Sequence, residues 1–216
     1  NESGDVIDLV AKLRHVSTVE AAQLIRESFH VSATAVPQRK TTSDHTLFSE
    51  YIQNAIEAFA VSPRAQMYLQ GRAFTGESMI RFRFGFDAKR NAIVIPYGEL
   101  SEYYTSRSIS EKRFFKPRSE DVGPEPLFYE ESLDQDEPVF VVESAFCALS
   151  IMQEGGHAVA VCGTGIRKLI EALRARQKVP PIIVCMDRDS AGEEAAGHLS
   201  AQLKAHKINH MCVMTP

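Results

Sequence analysis

Tryptophan is absent from this chain, and its four cysteines, Cys147, Cys162, Cys185 and Cys212, are scattered singly. None forms a C-x-x-C pair, which argues against a zinc site made by this chain alone and against a disulfide framework. All four sit in or beside apolar segments and read as buried free thiols of a reducing cytoplasm. No apolar run approaches the roughly 20 residues of a membrane span, and no secretory leader opens the sequence. Neither sign of charge dominates: 24 Lys and Arg against 28 Asp and Glu give a net charge of −4. A generally basic nucleic-acid binder is thereby disfavoured, and any site for a polyanion has to be local. The sequence starts without Met and stops at Thr215-Pro216, so a piece of a longer protein is expected. Its 216 residues, 44% hydrophobic, suffice for one large domain or two small ones.

What is present concentrates between Val139 and Gly192. An apolar run, Val139-Phe140-Val141-Val142, stops at Glu143-Ser144 and leads into a helical pattern over Ala145–Glu154. A second run, Ile182-Ile183-Val184-Cys185-Met186, stops at Asp187-Arg188-Asp189-Ser190-Ala191-Gly192 and opens a helix to about Lys207. With further strands at Ala158–Cys162 and His210–Met214 and a helix at Gly165–Arg176, this half alternates strand and helix. Short apolar strands alternating with helices predict a parallel sheet covered on both faces. Ligands of such sheets bind beyond the carboxyl ends of the strands, where Glu143, Asp187 and Asp189 fall. Carboxylates brought together there repel unless a cation lies between them, and an all-oxygen set suits Mg²⁺ or Mn²⁺. Gly163-Thr164-Gly165 reads as a tight turn, or as a place where backbone N–H groups receive an anion.

The preceding segments carry other chemistry. Val6, Ile7, Leu9, Val10 and Leu13 share one helical face, and Ser17-Thr18-Val19-Glu20 is a capping-box pattern, so residues 1–31 read as a helical hairpin. The polar stretch 32–46 reads as a linker. Helices are expected at Leu47–Val61, Pro63–Arg72 and Thr75–Phe82, and strands at Ala92–Tyr97 and within Leu100–Ile109. Between Arg107 and Arg118 the sequence sets Arg107, Lys112, Arg113, Lys116 and Arg118 beside Phe114 and Phe115, with Glu111 the lone acid. Cations interleaved with rings suit single-stranded polynucleotide or a nucleoside triphosphate; a strand edge protected by charge would look similar. Residues 120–137 are acidic and contain Pro124 and Pro126, and read as a connector.

These residues carry a family resemblance. A strand ending in Glu143, a Gly-Thr-Gly turn, and a strand ending in Asp187-x-Asp189-x-Ala-Gly resemble the toprim domain of primases, topoisomerases and some nucleases. Haloacid-dehalogenase-like phosphatases also use Asp-x-Asp, but on their first strand. The stretch Met67-Tyr68-Leu69-Gln70-Gly71-Arg72, continuing through Thr75-Gly76-Glu77 to Phe84-Gly85-Phe86, resembles bacterial and phage-type DNA primases, not topoisomerases. The resemblance implies an α/β chain: an α+β N-terminal subdomain at 47–137, then a toprim domain at 138–216 with a parallel-type sheet flanked by helices. Residues 1–31 would follow a zinc-binding module lying upstream, the only place for zinc.

The function implied is template-directed synthesis of short RNA primers on single-stranded DNA, by metal-dependent nucleotidyl transfer from ribonucleoside triphosphates. Asp187 and Asp189 would be metal ligands, and Glu143 a ligand or the group that helps the proton move. Arg107, Lys112, Arg113 and Lys116 would hold the triphosphate or template. A replicative helicase is the implied partner, no membrane is involved, and mobile-element primases are the branch most alike. Two departures stand out: Cys147 occupies the place of a supporting Asp, and the acidic pair expected after the fourth strand is not in the sequence. A toprim nuclease, or a non-catalytic nucleic-acid-binding toprim module, are the alternatives.

Overall fold

A computed structural model describes Arg14, Val16, Ser17 and residues 45–98, 103–163 and 165–213. The chain divides into two units, Asn1–Thr42 and Ser43–Pro216, and two four-stranded sheets lie in the second. Apart from the three residues named, the expected hairpin over 1–31 lies outside the described residues, as does most of the expected linker.

Three helices open the second unit: α1 (His45–Ala60), α2 (Pro63–Gln70) and α3 (Gly76–Arg81). The boundaries follow local chemistry. Ser62 caps α2 by accepting from the Ala65 N–H at 3.3 Å, with Pro63 at the first helical position. Thr75 caps α3 by accepting from the Ser78 N–H at 3.1 Å. An antiparallel sheet follows in the order β1 (Gly85–Asp87), β2 (Ala92–Pro96), β3 (Tyr104–Ser108) and β4 (Phe114–Phe115). Helix α1 lies so close to β1 that a Cβ on Gly85 would come within 2.7 Å of the Ala55 side chain. The described residues of β2 are buried throughout, as its unbroken apolar run requires.

The second half of this unit forms the expected parallel sheet, in the order β6 (His157–Ala160), β5 (Val139–Val142), β7 (Ile182–Val184) and β8 (His210–Cys212). Helices α5 (Ala145–Gln153), α6 (Ile166–Ala175) and α7 (Ser190–Ala205) alternate with these strands. The α/β class therefore holds, with each strand ending within two residues of its expected limit.

The stretch 120–137 is more than a connector. After the short helix α4 (Ser119–Val122) it buries Leu127, Phe128 and Tyr129, and Leu133 is buried within the 3-10 turn at Glu130–Asp134 that follows. Phe128 bridges Ala160 at the edge of the parallel sheet, and the Tyr129 N–H donates to the Tyr97 carbonyl at 2.8 Å. Its few apolar residues are adjacent in sequence, so they plug the seam between the sheets without showing any periodicity.

One hydrophobic core crosses from half to half, joining Phe74, Phe82, Phe84, Ile93 and Tyr97 to Phe128, Val142, Phe146, Leu149 and Ala160. Phe146 meets Phe74 at 5.9 Å and Phe84 at 6.2 Å between ring centroids, and Arg72 lies over Phe146 at 4.7 Å. Gln153 latches the rim: its Oε1 accepts from the Thr75 N–H and the Ser78 hydroxyl, and its Nε2 donates to the Ala73 carbonyl at 3.1 Å. Replacing Gln153 by Ala strands these groups, so urea denaturation should show a loss of about 1–3 kcal/mol. Gln53→Ala, which removes an exposed contact to Glu57 within α1, should change stability by less than about 0.5 kcal/mol.

Candidate active site

The parallel register sets the acids at one edge. Val139 pairs with Ile182 and Val141 with Val184, so β5 and β7 run out together, one into Glu143 and the other towards Asp187 and Asp189. The backbone continues the pairing beyond the strands: the Cys185 N–H donates to the Val141 carbonyl at 2.9 Å, and the Cys162 N–H to the Glu143 carbonyl at 3.0 Å. Glu143 is half-buried, while Asp187 and Asp189 are exposed.

The Asp187-to-Gly192 turn is a mechanical unit. Asp189 is the N-cap of α7, its Oδ1 accepting from the Gly192 N–H at 2.8 Å. That bond engages one carboxylate oxygen. A Cβ on Gly192 would lie 2.1 Å from the Asp187 carbonyl oxygen, so only glycine lets α7 start this close to the acidic turn. Gly165 obeys the same constraint: a Cβ there would lie 2.3 Å from the Val161 carbonyl oxygen, whereas Gly163 is required by its positive φ of 96°.

The Glu143 carboxyl is held above the ordinary carboxylate range, by burial first and then by Asp187 and Asp189, while Lys112 pulls it down. All three acids therefore share one electrostatic neighbourhood, and a basic residue of the other half reaches it. Three oxygen-bearing side chains at one edge fit a hard divalent cation in donor type. Among the described residues, however, no three His, Cys, Asp or Glu side chains are gathered into a ready coordination sphere. The trio is an acidic edge, not a closed cage. Cys147 adds no oxygen to it: the thiol is 3.1 Å from the Ser144 hydroxyl, which caps α5 by accepting from the Cys147 N–H.

The four expected cations have different surroundings. Lys112 is the one whose charge acts on the Glu143 carboxyl. Arg107 lies over the Phe114 ring at 4.9 Å, with its Nε buried and lacking a hydrogen-bond partner among the described residues. Arg113 lies over Phe115 at 4.9 Å and pairs loosely with Glu111 at 3.7 Å. Lys116 is held by Glu125 at 2.7 Å. Glu125 is not singled out by the sequence, being one acid among several in an acidic stretch with nothing local to distinguish it. A cleft of about 670 Å³ lined by Tyr51, Asn54, Phe86, Asp87, Arg90 and Tyr104 opens elsewhere, beside α1 and β1.

The Glu143 shift has a consequence for stability. A carboxyl whose pKa is raised by folding binds more protons folded than unfolded, so stability falls as pH rises through that window. Below the ordinary carboxylate pKa both states are protonated and the penalty vanishes. Glu143→Gln should therefore melt at a higher temperature than the parent at pH 7 without divalent metal. The difference should disappear when the scan is repeated well below pH 4.

Comparison with known proteins agrees with this geometry. Residues 140–216 match the family described as Toprim-like. Over 99% of its length the chain is 24% identical to a DNA primase of Thermotoga maritima, and it spans about half of that protein, 46%. The zinc-binding and RNA polymerase domains of the Aquifex aeolicus primase superpose with a TM-score of 0.65 at 17% identity, covering 99% of this chain and 64% of that one. A DNA primase domain from Pseudomonas aeruginosa gives 0.62 at 21% identity, covering 80% and 71%. At these identities the two structures speak to fold. Parallel sheet, acidic edge and preceding antiparallel sheet accord with these likenesses: residues 140–216 are similar to the Toprim-like family, in a chain with the fold of bacterial DNA primase domains.

Proposed function

We propose that this chain is the catalytic core of a primase, joining ribonucleoside triphosphates into short RNA primers on single-stranded DNA. Residues 47–137 would be the N-terminal subdomain and 138–216 the toprim domain, behind the tail of a zinc-binding module and a linker. The observation that supports this reading is the β5–β7 register, which runs Glu143 and the Asp187–Asp189 turn out at one sheet edge. Lys112, from the basic, ring-bearing segment of the other half, is among the charges that act on the Glu143 carboxyl.

The reaction is an in-line attack of a 3′-hydroxyl on an α-phosphate, with pyrophosphate leaving. Mg²⁺ or Mn²⁺, held by Asp187 and Asp189 with Glu143 beside them, would neutralise phosphate charge and lower the hydroxyl's pKa. Glu143, whose carboxyl is held above its usual range, is suited to take the hydroxyl proton. Lys112 would draw the triphosphate towards the acids. Arg107 and Arg113, backed by Phe114 and Phe115, would present flat cationic faces to template phosphates or bases. A replicative helicase would be the partner that brings template, in the cytoplasm.

The engagement of Cys147 with Ser144, where a further carboxylate would serve a metal, favours a second reading as a non-catalytic binding module. Incorporation of labelled ribonucleotide on a single-stranded template, with Mg²⁺ or Mn²⁺ and the full-length protein, separates the readings. Short RNA products are expected, falling by at least about 100-fold in Asp187→Ala. Template cleavage without synthesis would make the protein a nuclease, and binding with neither activity would leave the module.

A further inference from the structure

An ionic hub around Glu125 has no part in the roles assigned to the acids and to Lys112. Three elements converge on this residue. Lys116, just after β4, sets its ammonium on both carboxylate oxygens, at 2.7 and 2.9 Å. The hydroxyl of Tyr97, a fully buried residue after β2, donates to the same carboxylate. Lys168, on α6, donates to the Glu125 backbone carbonyl. Glu125 is thus fixed from both sheets' sides, by side chain and by main chain.

The hub lies at the carboxylate edge. The thiol of Cys162, just past β6, is pushed up to about 11 by burial, and it senses Lys116, Tyr97 and Glu125. The Cys162 N–H is itself bonded to the carbonyl of Glu143 at 3.0 Å. One residue therefore links the Lys116 pair to the strand end that carries Glu143.

A lysine on its four-carbon stem is a poor fixed point, because its ammonium sweeps a large volume unless something holds it. Bidentate contact with an immobilised carboxylate removes that freedom. It uses two of the three ammonium donors and leaves one for a ligand. The pair is also accessible, with side-chain exposures of 34% for Lys116 and 21% for Glu125.

We propose that Glu125 is a positioning residue: it holds the Lys116 ammonium at the carboxylate edge for the phosphates of an incoming ribonucleoside triphosphate. This rests on the polymerase reading. It assigns Glu125 a purpose that an ordinary surface ion pair would lack, since it makes Lys116 useful only while the pair exists.

The test is a double-mutant cycle in the full-length protein, comparing the parent, Glu125→Gln, Lys116→Met and the double variant. Gln keeps an acceptor for the Tyr97 hydroxyl and loses the charge that holds Lys116. Glu125→Gln should raise KM for the triphosphate roughly 5–20-fold with kcat within about twofold. Lys116→Met should do the same, and the double variant should be no worse than Lys116→Met alone. Multiplying effects, a fall in kcat at unchanged KM, or a lowered melting temperature with unaltered kinetics would make the pair a structural staple and overturn the proposal. Should the parent make no primer, the same four proteins are titrated with a non-hydrolysable ribonucleoside triphosphate. Equal affinities in all four would defeat the Glu125 proposal alone. No binding by the parent would defeat the polymerase reading and this proposal together.

Discussion

Parallel pairing between β5 and β7 is the constraint on which the rest of the site depends. Side chains alternate along a strand, so a slip of one residue would turn every inward residue outward and carry the acids to the wrong face. The register is pinned because both strands are sealed in hydrophobic packing: Val139, Val141, Ile182 and Val184 are all fully buried. Once it is fixed, the two strands run out at the same edge, and Glu143 and Asp187 follow them there without further instruction. The Glu143 carboxyl carries the consequence, its pKa raised by burial first and then by Asp187 and Asp189.

The antiparallel sheet depends on the same packing from the other side. The first half's aromatic residues Phe74, Phe84 and Tyr97 belong to the cluster that contains Val142, next to Glu143, and Phe146. The backbone of the basic segment that follows β3 is therefore anchored through buried rings rather than through ion pairs. Local pairing then adjusts its cations: rings under Arg107 and Arg113, a carboxylate under Lys116.

Much of this was legible in the sequence, for reasons that can be stated. Val139–Val142 and Ile182–Val184 are apolar, short and bounded by acids, which leaves few alternatives to buried strands, and Ser62-Pro63 and Thr75 announce helix starts chemically. Residues 120–137 were misjudged because Leu127, Phe128 and Tyr129 act through position in space, with no repeating pattern to reveal it. Glu125 was invisible for the same reason, since its partners Lys116, Tyr97 and Lys168 are 9, 28 and 43 residues away. The individual fates of the four cations also depend on neighbours across a hairpin, which spacing alone does not encode.

The core that runs through both halves limits how this protein can be rearranged. A Toprim-like domain lifted out of it would leave Phe146 without Phe74 and Phe84, and would strip the Phe128 bridge from the edge of β6. Exposed rings and an open strand edge are an invitation to self-association. Transfer of this domain between polypeptides is therefore conditional on the new neighbour's shape. Any host must bring an apolar surface that fits Phe146 and a segment that covers the outer strand, so the domain's portability resides in its companions as much as in its acids.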